Sequence, residues 1–222
     1  MTADTIAINQ QMDQFDGQHS VWLFGYGSLI YKADFPYLQR RPACIANWTR
    51  RFWQGSHDHR GTPEAPGRVV TIIEQAGAIC HGMAYLVTPE VFAHLDHREK
   101  NGYLRLAIPI TFDDNPDGGT REGHRDSNAN ANSGGDNDNV IGLVYIATPD
   151  NTAFLGEASE QEIARHIARS AGPSGPNSDY LNHLASALRE LGRHDQHVFE
   201  IERHLAALNA DPSAPPSNSP SE

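Results

Sequence analysis

Cysteine, long apolar runs and positive charge are all scarce in this chain. Two cysteines, Cys44 and Cys80, occur in 222 residues. Two thiols are too few for the disulfide framework of a small secreted domain or for a cysteine-based metal site, so a reducing, cytoplasmic setting is expected. The longest apolar runs, Val69–Ile73 and Val140–Ala147, are strand-sized. A bilayer-spanning helix needs about 20 apolar residues, so no membrane partner is expected. The first residues show no basic segment followed by an apolar one, so no secretory signal is expected. Lys and Arg number 17 against 28 Asp and Glu, a formal net charge of −11. That balance argues against a phosphate backbone as ligand, and no nucleic-acid partner is expected.

The acidity is local. Residues 1–20 carry three acids and no base, residues 113–139 carry seven acids against two bases, and residues 209–222 carry two acids. The remaining body is near neutral, so the overall charge reports solvated segments and says little about an active surface. Residues 1–19 and the Pro/Ser-rich tail 209–222 lack the apolar residues that offset ordering entropy, and both are expected to be disordered. The stretch 113–139 has no aliphatic residue larger than alanine and no aromatic. With a strand-like run on each side, it reads as a low-complexity acidic loop inserted into one domain spanning 20–208. Closure entropy grows only logarithmically with length, so the core tolerates such a loop.

Strand signals dominate the first half of the body: Val21–Gly25, Ile45–Trp53, Arg68–Glu74, His81–Val87 and Tyr103–Phe112, each rich in β-branched or aromatic residues and bounded by turn residues. RVVTIIE is apolar on both phases, as in a strand covered on both faces. A short helix follows Thr88 and Pro89, with Val91, Phe92 and Leu95 as its apolar stripe. After residue 147 the period turns helical. Ser159 and Glu162 match a capping box, with Gly172 as the expected stop. Tyr180, Leu181, Leu184, Leu188 and Leu191 share a face up to Gly192, and a last helix is expected over Gln196–Leu208. Strands first and helices later define an α+β domain with a mixed or barrel-like sheet.

Two stretches can carry chemistry. Phe24-Gly25-Tyr26-Gly27-Ser28-Leu29 ends an apolar strand with two glycines around a tyrosine. Glycine permits φ > 0 and lets a ligand approach the main chain. Successive amides in such a turn form a nest for an anion such as a carboxylate. An ordinary strand-ending turn fits the same residues. Ile30 occupies the third glycine position of a dinucleotide fingerprint, no lysine follows as in a P-loop, and the pattern is not GxSxG. The second stretch, Leu95-Asp96-His97-Arg98-Glu99-Lys100-Asn101-Gly102-Tyr103, lies where the short helix gives way to a strand. Its charges suit a solvated helix end. The functional reading makes one of its carboxylates a general base. The helix dipole and burial both disfavour a carboxylate's charge there, while Arg98 and Lys100 oppose them.

The histidines His57, His59, His81, His94 and His97 match no zinc spacing, so no metal is expected. Ser28 lacks the oxyanion-hole glycine run of a hydrolytic triad. Trp48, Phe52 and Trp53 read as core or pocket wall, and Arg50 and Arg51 as solvated or ion-paired.

Taken together, these stretches resemble the ChaC family of gamma-glutamylcyclotransferases. The matching pieces are VWLFGYGSLIYKADFPY, RRFWQGSHDHRGTPEAPGRVVTIIE, GMAYLV, LDHREKNGY, VYIAT, FLGEASEQEIARHIARSAGPSGPNSDYL and HVFEIE, in order from about Val21 to Leu205. The resemblance implies an α+β fold, a gamma-glutamylcyclotransferase-like mixed β-barrel with surrounding helices. It implies cleavage of reduced glutathione to 5-oxoproline and cysteinylglycine, with no cofactor. By the same resemblance Gly25, Tyr26, Gly27, Ser28, Leu29 and Ile30 form the substrate-binding loop, and Glu99 is the catalytic carboxylate. Tyr31 stands where the family often has Trp, and Asn101 where it often has Gly before Gly102. Two other readings share these residues: a cyclotransferase for other γ-glutamyl amides, and a non-catalytic module that binds γ-glutamyl peptides.

Overall fold

A computed structural model of the protein describes residues 5–11, 19–99, 102–113 and 139–210. Its helices are α1 (Ile6–Gln11), α2 (Val91–Arg98), α3 (Glu160–Arg169), α4 (Asn177–Glu190) and α5 (Gln196–Ala210). Its strands are β1 (Val21–Gly25), β2 (Gln39–Ser56), β3 (Gly67–Val87), β4 (Tyr103–Phe112) and β5 (Asn139–Ala147), with two-residue strands β6 (Ala171–Gly172) and β7 (Gly175–Pro176). No described helix is long and apolar enough to cross a membrane.

Five strands close a barrel in the order β1-β3-β2-β4-β5. Leu23 of β1 lies antiparallel to Tyr85 of β3 and parallel to Leu143 of β5, so the barrel is mixed, as expected. From Gly142 to Ala147, β5 is buried on both faces, which explains why this run is apolar on both phases.

The chain divides into two compact units. One comprises Asp4–Thr49 and Ile72–Ile146, and Ile45, Ile72, Leu95, Ile110 and Val144 are fully or almost fully buried in it. The other draws its described residues from Arg50–Thr71 and Ala147–Glu222. There α3, α4 and α5 pack together through Ile163, Ile167, Leu181, Leu184, Val198 and Ile201. Two buried polar clamps fix that unit. Arg50 pairs with Asp195, and the Asn177 side chain accepts from the Arg68 amide at 2.7 Å and donates to the Arg68 carbonyl at 2.8 Å.

Four sequence expectations need correction. The strands expected at 68–74 and 81–87 are one strand, β3. Its polar centre stays in the strand beside β2 through a local kink, where Asn47 (φ 66°) and Gly77 (φ 77°) are both left-handed and the Asn47 side chain accepts the Gly77 amide at 2.9 Å. That centre is exposed, so its composition imitates a turn. Second, α3 stops at Arg169 and Gly172 enters β6, although the Ser159–Glu162 capping box forms as expected. Third, disorder expected over 1–19 fails at residues 5–11. α1 forms there, with Thr5 and Asn9 buried. The final helix runs to Ala210, two residues beyond its expected end. The rest of the N-terminal segment up to residue 18, most of the 113–139 insertion, the tail from 211, Lys100 and Asn101 lie outside the described residues.

Candidate active site

β1 delivers the chain to the glycine turn. A Cβ on Gly25 would sit 2.4 Å from the Leu29 Cβ, so the chain folds back on itself only because position 25 has no side chain. The left-handed φ expected of these glycines is not what they supply. Described glycines with such φ are 77, 102, 156, 175 and 192. After Gly27 the chain makes a single 3-10 turn, Ser28–Ile30, closed by Ile30 N–H to the Gly27 carbonyl at 3.0 Å and Tyr31 N–H to the Ser28 carbonyl at 3.1 Å. The amides of Ser28 and Leu29 head this turn, where a helix has no acceptor of its own. Tyr26, Leu29 and Ile30 are buried and anchor it. The Tyr85 hydroxyl donates to the Leu29 carbonyl (2.6 Å), Arg40 to the Ile30 carbonyl (3.0 Å), and the Tyr26 hydroxyl to the Tyr145 carbonyl (2.7 Å). Burial raises the pKa of the Tyr85 phenol, which keeps it a donor.

Glu99 caps the C-terminus of α2, its amide donating to the Leu95 carbonyl at 2.8 Å. Its side chain is 19% exposed, and one carboxylate oxygen lies 3.2 Å from Arg98 Nε. The same guanidinium donates to Ser28 Oγ at 2.8 Å and pairs with Asp34. Arg98 therefore touches both the candidate base and the glycine turn. Arg98 and Ser28 were 70 positions apart in the sequence with nothing to join them.

Beneath Glu99 lies a buried polar chain. Asp96, one turn earlier on α2, accepts the Tyr145 hydroxyl at 2.6 Å and lies 3.5 Å from Arg105 Nη1. Burial first, then the Asp96 contact, raise the Tyr145 pKa, so the phenol remains protonated. Asp96 is thus committed to two buried partners, whereas Glu99 and Asp34 both meet the Arg98 guanidinium that reaches the turn. Gly102 takes φ 93°, a left-handed conformation that favours glycine, and Tyr103 N–H returns to the Glu99 carbonyl at 3.3 Å. The sequence carried no signal for Tyr145, Arg105 or Asn9, because buried polar pairing between distant positions leaves no periodic trace.

Of the histidines set aside as metal ligands, His94 and His97 are exposed on α2. His81 joins Cys44 and Asp113 in a group whose ligand atoms lie within 4.8 Å of one another. Its imidazole sits 3.8 Å from the Asp113 carboxylate, and each of the three residues has further interactions in the protein. Both cysteines are free thiols.

The architecture is that of a gamma-glutamylcyclotransferase. A crystal structure of a yeast gamma-glutamylcyclotransferase specific to glutathione superposes with a TM-score of 0.71 at 30% identity, covering 86% of this chain and 97% of that one. The family is narrower. The model of the ChaC-like proteins matches residues 21–208, and the chain belongs to that family. Among its relatives, glutathione-specific gamma-glutamylcyclotransferase 1 of Danio rerio is 41% identical over 199 residues, covering 86% of this chain and 91% of the relative. Gamma-glutamylcyclotransferase 2-3 of Arabidopsis thaliana is 38% identical over 215 residues, covering 90% and 98%.

Proposed function

We propose that this protein is a lyase that cleaves reduced glutathione into 5-oxoproline and cysteinylglycine, with Glu99 as general base and then general acid. The observation that carries the residue roles is Arg98, whose guanidinium contacts both the Glu99 carboxylate and Ser28 of the glycine turn. The named activity of the Danio rerio and yeast relatives supports the reaction type.

The chemistry follows from the substrate. In a γ-glutamyl amide the α-amine attacks the γ-carbonyl of its own residue. At neutral pH that amine is largely an ammonium ion, which has no lone pair to donate. The Glu99 carboxylate takes the proton, the nitrogen bonds to the γ-carbon, and a tetrahedral oxyanion forms. Collapse breaks the bond to the cysteinyl nitrogen, which leaves with the proton returned by Glu99, while the ring nitrogen sheds its second proton to water and becomes the neutral lactam NH. The nucleophile belongs to the substrate, so the protein's task is to hold the glutamyl chain bent. Well-oriented intramolecular reactions reach effective molarities on the order of 10⁵–10⁸ M. The amides and side chains of Gly25–Ile30 hold the substrate, with the free amides at the head of the turn meeting its α-carboxylate or the oxyanion. Residues 20–208 supply this machinery, and the two free thiols fit a reducing cytoplasm.

Incubating purified protein with reduced glutathione and measuring 5-oxoproline tests the proposal. Glu99→Gln is expected to stay folded and release none. Substantial turnover by that variant would move the base elsewhere. Running γ-glutamyl-alanine in parallel separates a glutathione enzyme from one acting on other γ-glutamyl amides, and binding without product would leave only a binding module.

A further inference from the structure

α1 grips the turn that carries Glu99. Thr5 and Asn9 are one helical turn apart, linked by Asn9 N–H to the Thr5 carbonyl at 2.9 Å, and so share a face. Thr5 Oγ1 reaches the Glu99 carbonyl at 3.5 Å. Asn9 is fully buried (0% exposed), and both ends of its amide are used. Nδ2 donates to the Tyr103 carbonyl at 3.0 Å, and Oδ1 accepts the Arg105 amide at 2.8 Å. Its backbone carbonyl also accepts from the Arg105 guanidinium, the group beside buried Asp96. The contacts fall on both sides of the connection that returns from α2 to β4. Position 9 lies before the segment matched by the family model, which starts at residue 21.

We infer that Asn9 is a positioning residue for the cyclotransferase reaction: by fixing the backbone at Tyr103 and Arg105, it holds the Glu99 turn in register with the glycine turn. This rests on Glu99 as the base. Asn9 suits the task because its side chain presents one donor and one acceptor with the spacing of a peptide group, so it pairs with a strand's open carbonyl and amide as another strand would. Losing it leaves two buried backbone groups without that partner and lets the turn shift. Proton transfer is sensitive to such shifts. Substrate capture is less so, because the glycine turn is anchored by Tyr85, Arg40 and Tyr26, none of which bonds Asn9.

The test is steady-state kinetics on the full-length chain for Asn9→Ala, Asn9→Ser and Glu99→Gln, with a urea melt of each to fix the folded fraction. Asn9→Ala is expected to lose kcat on the order of 10- to 100-fold with KM for glutathione kept within about twofold. Asn9→Ser is expected to recover part of the loss, since its hydroxyl still accepts from an amide. A folded Asn9→Ala with unchanged kcat, or with raised KM at unchanged kcat, overturns the inference. An inactive Glu99→Gln beside an unaffected Asn9→Ala overturns this inference alone, whereas an active Glu99→Gln overturns the assignment of the base and this inference with it.

Discussion

Gly25 bears a constraint that only glycine meets. The Leu29 Cβ that a side chain would strike is fixed to the backbone and cannot swing away, so the turn itself must move. Gly25→Ala is therefore expected to cost about 1–3 kcal/mol as forced overpacking, read from a urea midpoint. It is also expected to raise KM for glutathione on the order of tenfold through misplacement of the turn. An unchanged KM in a folded variant would remove the turn from substrate binding. Gly25 stood out in the sequence because it sits in a compact motif of adjacent residues, whereas Glu99 was singled out from its acidic neighbours only by the family resemblance. The reason for Gly25 was not legible, since the left-handed φ read from the motif gave way to a close approach between residues 25 and 29. Arg98 was visible only as a charge opposing Glu99. That it also holds Ser28 depends on the barrel bringing β1 and α2 together. Asn9 was hidden altogether, because polar hydrogen bonds to distant backbone order α1 where composition promised nothing.

The helices were more legible than the strands, for a physical reason. The Ser159–Glu162 capping box and the stripe of Tyr180, Leu181, Leu184 and Leu188 are local patterns, and both formed. β2 runs beyond its apolar segment, and β3 continues through its polar centre, because the two strands pair with each other. The contact of α5 with β2 carries a pH dependence. His197 Nε2 accepts the Phe52 amide at 3.1 Å, so that nitrogen is unprotonated, and Nδ1–H faces Glu160 at 3.0 Å. Burial lowers the His197 pKa, with Glu160 opposing, and the same contact holds the Glu160 carboxyl below its ordinary value. Burial also lowers the His166 pKa. The unfolded chain protonates these imidazoles near 6.5, while the folded chain keeps them neutral to lower pH. Their stabilisation is complete above that pH and drains away as pH falls below it, with Glu160 adding a further loss below 4.5. Urea midpoints are expected to fall between pH 7.5 and 5.5. His197→Gln is expected to be less stable at pH 7.5 yet to show a shallower fall, by up to about 1.4 kcal/mol per pH unit. An unchanged slope would mean that His197 is not the linked group.

Every residue assigned to the site belongs to the unit of Asp4–Thr49 and Ile72–Ile146, while much of the family resemblance, RRFWQGS and AGPSGPN included, lies in the other. There those motifs supply clamps such as Arg50–Asp195 and Asn177–Arg68, so a long shared motif in this fold reports scaffold as readily as chemistry. The acidic insertion interrupts the unit that holds the site, and its two ends are close. β4 and β5 are neighbours in the barrel, and Thr111 Oγ1 donates to the Asn139 side chain at 2.6 Å. Asp113 N–H is engaged with the Pro42 carbonyl at 3.0 Å, which fixes the β4 end without help from the residues beyond it. A short turn can therefore replace the insertion. Each halving of a flexible loop recovers only about 0.6 kcal/mol of closure entropy, so removing residues 115–137 is expected to raise stability slightly and leave kcat and KM for glutathione essentially as they are. Comparing the deleted chain with the intact one, by urea melt and by 5-oxoproline release, decides the matter. Lost activity in a folded deletion variant would make the insertion part of the catalytic machinery, because the strands that carry the site would be intact without it.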